Sequence, residues 1–595
     1  MQMKTLPIAA QPVPTEFNEY LRTLDPHNAY IHPYHGLFVQ PVTVDGQKRI
    51  IKGYLPEGLP HCTPSLFLAA PSGVDVETFM ELTGWRELAD RKCFALFLFE
   101  PLEGQWAEQD AEQEIRYMLQ AHSRILVRDV FSIYTSNFYF AGYGDGGEIL
   151  HKFILRNPYL CSGMAIFNGS KIDKAFLEET MKCTKFMPIL AEEGAMNPYL
   201  KAPLTQKKLG EIEAPVWVIE DALEERSRQV VEYWLRANHC VLDCFSTPDA
   251  DVYFQSPVSI ETWLDSMPLG RVQVTERKVD CGDKAFHETL WDDFFIRTGR
   301  YRHTYEDKLR PLSTLEELGL VRQETEVDGK LRYWWEYIPS YAKAYPKEAL
   351  PVVMAFHGGG QIPECYIAYT DWHKLAEERH FIMLYPAAWP AFKFAHEVAR
   401  PFWNDDFDEK KADDFAFFRR ILDHMESRQP IHRGKIYATG HSSGGAMSQR
   451  VALEMPDVFT AMAANAAPIM GCFIPNFTFP ATYKPEYKMP VWTTKGENDG
   501  GPTRKNRASI YTLEHWLRQN DCGELENIQS YRSGLYNHIV YRNKEGVPLV
   551  RHTLIRDKGH TTMPSESRMY WDEFFCKFTR DEKGNIHYME DEVFW

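Results

Sequence analysis

The two halves of this 595-residue chain repeat the same blocks in the same order. A repeat of that length constrains the fold more than any local motif, because each copy must build its own core. "VDGQKRIIKGYLP" (Val44 to Pro56) aligns without gaps on "VDGKLRYWWEYIP" (Val327 to Pro339). "TGWRELADRKCFALFLFEP" then answers "TDWHKLAEERHFIMLYP", pairing Trp85 with Trp372. "NFYFAGYGDGGEILHKFILRNP" answers "KIYATGHSSGGAMSQRVALEMP", setting Gly144 against Ser442. "APVWVIED" with "MPVWTTKG", "EYWLRANHC" with "EHWLRQNDC" and "WDDFF" with "WDEFF" complete the series, at a nearly constant displacement.

Each copy alternates short apolar runs with longer helical patterns. In the second, "LPVVMAF", "FIMLYP", "KIYATG", "FTAMAANAA" and "MPVWTTKG" read as buried strands bounded by Gly, Pro or Asp. Between them "ADDFAFFRRILDHMES" places Phe415, Phe418, Ile421 and Leu422 on one helical face. Strands alternating with helices predict an α/β fold, a mostly parallel sheet covered on both faces. The chain therefore reads as two tandem domains, residues 1–300 and 301–595, joined near the polar stretch "RTGRYRHTYEDKLRPLSTLEELG".

Composition excludes several classes. Hydrophobic residues at 44% and charged residues at 25% are those of a globular protein. A net charge of −17 repels polyanions, and no basic run offsets it, so no nucleic-acid partner is expected. "MQMKTLPIAAQPVPTEF" lacks the apolar core of a signal peptide, and no run of eighteen apolar residues spans a bilayer. The expectation is a cytoplasmic protein with no membrane partner. Eleven scattered cysteines with no C-x-x-C pair argue against a disulfide framework or zinc ribbon, and His239, Cys240 and Cys244 read as helix-end residues.

The second copy carries a chemistry-bearing pattern. Gly440, Ser442 and Gly444 form G-x-S-x-G between a strand and a helix, a turn that holds a serine hydroxyl out at the carboxyl edge of a sheet. Upstream, His357, Gly358, Gly359 and Gly360 follow a strand, where backbone N–H groups can meet an oxyanion. Ser443 supplies a further N–H. Downstream, Glu497 and Asp499 are candidate acids and His560 the candidate base, in the chain order Ser, acid, His. Trp389, Phe402 and Trp403 are candidates for an aromatic pocket wall, and His357, Trp403 and His441 are the candidate substrate-binding residues.

With these motifs on the page, the stretch from Val327 to Phe575 resembles the poly(3-hydroxybutyrate) depolymerase and feruloyl esterase group of the α/β-hydrolases. The resemblance implies a triad of Ser442, Asp499 and His560, with Glu497 as secondary acid, and an oxyanion hole drawn from Gly358, Gly359, Gly360 and Ser443. It implies acyl transfer to and from Ser442 on a small ester, aryl or hydroxycinnamoyl in type, with no metal or organic cofactor. A serine peptidase, a polyester depolymerase and a non-catalytic binding protein are the competing readings. In the first copy Gly144 stands for the serine, Asp280 for the histidine and "APSG" for "HGGG", so that copy reads as catalytically silent. Packing, shaping of the substrate entrance and a homo-oligomer surface are the roles left to it.

Overall fold

The computed structural model describes residues 9–13, 24–185, 207–256, 269–301, 308–392, 398–408, 410–499, 506–556 and 558–589. Part of the expected linker, 302–307, lies outside the described residues, as does most of the N-terminal stretch on which the expected location rests.

Two large sheets carry the chain. Across the C-terminal one the order is Val321–Val327, Lys330–Tyr337, Ile382–Pro386, Leu350–Phe356, Ile431–His441, Ala461–Asn465, Val491–Gly496, Val550–Ile555, Tyr536–Tyr541 and Gln529–Ser533. The strands from Ile382–Pro386 to Val550–Ile555 run parallel, and antiparallel hairpins close both edges. The N-terminal sheet runs Gly36–Val44, Gln47–Leu55, Ala95–Phe99, Thr63–Ala69, Ile133–Tyr143, Gly163–Phe167, Val216–Glu220, Arg271–Glu276, Asp251–Phe254 and Phe245–Ser246, the same order, with Gln11–Pro12 added at its edge. Central strands such as Ala461–Asn465 and Gly163–Phe167 are buried along their whole length, which is why they read as unbroken apolar runs.

The correspondence extends to individual hydrogen bonds. Arg49 pairs with Glu114 at 3.0 Å and Arg332 with Asp414 at 2.7 Å, each a buried tie from the inner strand of the first hairpin to a covering helix. Tyr54 donates to Asp90 at 2.6 Å, and Tyr337 to Glu377 at 2.8 Å. Trp217 and Trp492 reach threonine hydroxyls on the neighbouring strand at 2.8 and 2.9 Å. Asn238 and Asn520 each make a reciprocal amide pair, with Ala214 and Met489 respectively. A buried polar group must find such a partner, so these pairs fix the register of helix on sheet.

The helix Asp414–Glu426 differs in one respect from the expected face. It buries Phe417, Phe418, Ile421, Leu422 and Met425, while Phe415 is only partly buried beneath the Arg450 guanidinium, 4.8 Å away. The 3-4 spacing centres the apolar stripe on Phe418 and Ile421, and Phe415 falls on its flank. The two units touch broadly. Cys62, Tyr134 and Tyr301 belong to the core of the C-terminal unit, and the ribbon Thr298–Arg300 with Leu309–Pro311 straddles the expected boundary.

Candidate active site

The strand Ile431–His441 delivers its chain to a sharp corner and the helix Ser443–Glu454 leaves from it. Ser442 occupies the corner at φ 55° and ψ −120°, a region that costs a non-glycine residue about 1–3 kcal/mol. Its neighbours must be small. A Cβ on Gly444 would lie 2.1 Å from Phe356 O, and one on Gly440 2.4 Å from the backbone of Gly444. Ser442 N–H donates to Asn465 O at 3.0 Å and its carbonyl accepts from Ala446 N–H at 2.8 Å, which pins the corner from both sides.

Two loops bring the remaining groups to it. Asp499 follows the strand Val491–Gly496, and His560 follows Val550–Ile555. His560 Nε2 lies 2.9 Å from Ser442 Oγ, and its Nδ1 lies 3.0 Å from Asp499 Oδ2. The loops are laced together: Asn498 N–H donates to Lys558 O at 3.0 Å, and a Cβ at Gly496 would stand 2.2 Å from that same carbonyl. Burial pushes the Asp499 carboxyl up, but the hydrogen bond and charge of His560, with Lys495 beyond, outweigh it and hold the acid below its usual range. Glu497 donates its N–H to Ile555 O, and its carboxylate makes no bond to His560.

The four expected oxyanion donors divide into two pairs. Gly358 N–H is engaged by Gln361 Oε1 at 3.3 Å, and Gly360 N–H by Pro401 O at 2.7 Å. The N–H groups of Gly359 and Ser443 have no acceptor among the described residues and flank the serine. A Cβ at Gly359 would meet the Phe402 ring at 2.4 Å and Ser443 Cβ at 3.2 Å, so only glycine admits both neighbours.

The residues expected to touch substrate sit elsewhere. Trp403 is wholly buried and its indole N–H donates to His357 O at 2.8 Å, which places it behind the glycine loop. His357 is also fully buried. Its Nε2 accepts from Ala388 N–H at 3.0 Å, its Nδ1 therefore donates to Gly358 O at 2.8 Å, and burial lowers it to about 4, so the ring is neutral. His441 Nδ1 lies 2.7 Å from Asn465 Oδ1, and its ring packs 4.7 Å from that of His560; burial, then the His560 charge, hold it well below the usual histidine range. Trp403 and His357 thus shape the loop, and His441 packs against His560. Phe402, half-buried, lies beside Gly359.

Several supporting residues carry no local sequence signal. Ser443 Oγ donates to the buried Asp405 carboxylate at 2.5 Å. Below His441, Asn465 donates to Thr494 Oγ1 at 2.8 Å and to Glu566, which pairs with Lys558 at 2.6 Å with both side chains fully buried. Burial lowers Lys558 against the pull of Glu566. The contacts of Ser443 with Asp405 and of Asn465 with Thr494 and Glu566 join positions 38, 29 and 101 residues apart, so only the fold reveals them.

The N-terminal unit keeps the frame without the reacting groups. Trp106 Nε1 donates to Ala70 O at 2.8 Å, as Trp403 does to His357 O, and a Cβ on Gly146 would lie 2.1 Å from Ala70 O, as one on Gly444 would lie 2.5 Å from His357 O. Asp145 Oδ1 accepts from Ser72 N–H at 2.9 Å, so a carboxylate of the chain itself occupies the N–H that corresponds to Gly359. Asp280 turns to its own loop, accepting from Gly282 N–H at 2.8 Å.

No family model matches the chain. Over 257 residues it is 25% identical to a poly(3-hydroxyalkanoate) depolymerase C of Paucimonas lemoignei, covering 38% of this chain and 58% of the relative. Over 136 residues it is 26% identical to feruloyl esterase B of Thermothelomyces thermophilus, covering 23% and 44%. The chain thus spans 58% and 44% of the lengths of these two relatives. Among solved structures, the acetyl xylan esterase from Aspergillus awamori is similar at 14% identity and a TM-score of 0.31, covering 42% of this chain and 98% of that one. An S-formylglutathione hydrolase from Agrobacterium tumefaciens is similar at 13% identity and 0.31, covering 43% and 91%.

Proposed function

We propose that the chain is a serine carboxylesterase, with Ser442 as nucleophile, His560 as general base and then acid, and Asp499 as the group that orients His560. The observation that carries this reading is the continuous bond from Asp499 Oδ2 through both His560 nitrogens to Ser442 Oγ, 3.0 and 2.9 Å long, at a strained corner. His560 removes the serine proton as Oγ attacks an ester carbonyl, and the N–H groups of Gly359 and Ser443 receive the developing oxyanion. His560 then protonates the departing alkoxide, and the same histidine activates water to release the acid.

The substrate class is a small ester with an aryl or hydroxycinnamoyl group, for which Phe402 beside Gly359 offers a flat wall. The relatives' printed activities, feruloyl esterase and polyhydroxyalkanoate depolymerase, agree with ester chemistry. Shared strand order, repeated hydrogen-bond pairs and repeated sequence blocks support a tandem duplication whose units, 1–300 and 301–595, differ in that only the second does chemistry. Eleven free thiols suit a reducing, cytoplasmic compartment, and among the described residues no helix is long and apolar enough to cross a membrane. The test is fluorophosphonate labelling of the full chain followed by a panel of aryl, feruloyl and alkyl esters and a peptide amide. Labelling on Ser442 with ester turnover supports the reading; no label, or a label elsewhere, overturns it.

A further inference from the structure

The polar groups of the loop His357 to Gly360 are clamped on almost every side by their own unit. Trp403 holds His357 O at 2.8 Å, Gln361 holds Gly358 N–H at 3.3 Å while its Oε1 also accepts from Tyr369 OH at 2.7 Å, and Pro401 O holds Gly360 N–H at 2.7 Å. Gly360 O is held from both units. It accepts from Arg400 Nη2 at 2.9 Å and, from the other unit, from the thiol of Cys62 at 2.9 Å.

Cys62 is placed for this contact by its own backbone. It stands at φ 59° immediately before the strand Thr63–Ala69, is 5% exposed, and donates its N–H to Ser132 O at 2.7 Å. Its carbonyl faces Cys365 Sγ at 3.9 Å, on the helix Pro363–Thr370 that begins just beyond the glycine loop. The catalytically silent unit therefore reaches across to the strand-end loop of the other one and touches it at both ends of a single residue.

We propose that Cys62 is a positioning residue for the oxyanion loop, so that the N-terminal unit sets the aim of the Gly359 N–H. This rests on the site reading given above. Gly359 N–H shares its peptide plane with Gly358 O, which accepts from His357 Nδ1 at 2.8 Å and from Gln361 N–H at 3.2 Å, and Gln361 N–H in turn shares its plane with Gly360 O, so the bonds on Gly360 O help to fix where Gly359 N–H points. Removing the Cys62 donor leaves Gly360 O to Arg400 alone and frees the Gly360–Gln361 peptide plane, which loosens the Gln361 N–H bond to Gly358 O and with it the plane that carries Gly359 N–H. Deleting an oxyanion donor outright lowers kcat by about 10²–10³-fold. A misaimed donor loses part of that, and we expect a drop of about tenfold.

The experiment uses the full chain with Cys62→Ala, Cys62→Val and Cys62→Ser. The readouts are kcat and KM on p-nitrophenyl acetate, the second-order rate of fluorophosphonate labelling, and the thermal midpoint. Expected for Ala and Val is a drop of about tenfold in kcat and in labelling rate with KM within twofold, whereas Ser, which can still donate, recovers most of both. Val fills the space of the thiol without donating, so a Val variant with wild-type kcat overturns the proposal. Equal losses in all three variants, tracking a lowered midpoint, also overturn it and make Cys62 a packing residue only. Wild-type labelling at Ser442 is measured first: its absence sinks the site reading, while its presence with unaffected Cys62 variants sinks this proposal alone.

Discussion

Gly144 and Ser442 stand at equivalent strand-to-helix corners of their two sheets, with φ of 56° and 55°. The corner therefore does not depend on the residue that occupies it; the flanking glycines and the strand ends impose it. A serine at 144 would fit, since its Cβ would lie 3.6 Å from Pro71, an ordinary contact. It would have no base, with Asp280 held by Gly282, and the loop N–H of Ser72, which answers to Gly359, is already occupied by Asp145. The double variant Gly144→Ser, Ser442→Ala is expected to fold, lose about 1–3 kcal/mol to the unfavourable φ, and take no fluorophosphonate. Label at position 144 would refute this.

The strain at Ser442 gives a second expectation. Ser442→Ala removes the hydroxyl and should lower ester turnover by about 10⁶-fold. Ser442→Gly should be equally inactive yet more heat-stable than the Ala variant, because glycine accepts φ 55° without a steric cost. Thermal unfolding of the two variants side by side checks it. A Gly variant melting below Ala would mean that the corner is not strained.

Asp499 and Glu497 separate by geometry. Asp499 Oδ2 lies 3.0 Å from His560 Nδ1, and Glu497 makes no such bond. Asp499→Asn should cost about 10⁴-fold in kcat by favouring the wrong imidazole tautomer, and Glu497→Gln should change it less than threefold, about the scale of a surface charge. Steady-state kinetics on one aryl ester decide between them; the reverse order moves the acid to Glu497.

How far the sequence carries can be judged at individual residues. The α/β fold was legible because central strands such as Ala461–Asn465, buried on both faces, leave unbroken apolar runs. Ser442 and the glycine loop were legible because close backbone approach demands glycine at fixed spacing, as Gly444 against Phe356 O shows. The reach of Trp403 was not, because an aromatic residue beside a site looks the same in sequence whether it faces the substrate or props a carbonyl from behind. Nor were the ties of Asp405 to Ser443, Glu566 to Asn465 and Cys62 to Gly360, each of which crosses a long separation that only tertiary packing closes.

Acid should unfold the protein well before its carboxylates titrate, and the buried histidines give the sign. His357, His32 and His287 are each lowered by burial to about 4, and an exposed histidine in the unfolded chain takes its proton near about 6.5. Between those values the unfolded state binds more protons than the folded one, so stability rises with pH. The full contribution is present above about pH 6.5 and is lost as pH falls toward about 4. His357 adds its loss at the loop itself, since protonating Nε2 would destroy its acceptor role toward Ala388 N–H. The thermal midpoint is therefore expected to be flat from pH 8 to 7 and to fall steadily between pH 6.5 and 4.5. His357→Asn should lower the midpoint at pH 7.5, by removing the ring that ties Gly358 O to Ala388, and make the acid slope shallower. A wild-type midpoint that holds level down to pH 5, or a variant whose slope is unchanged, would show that these rings are not held neutral in the fold.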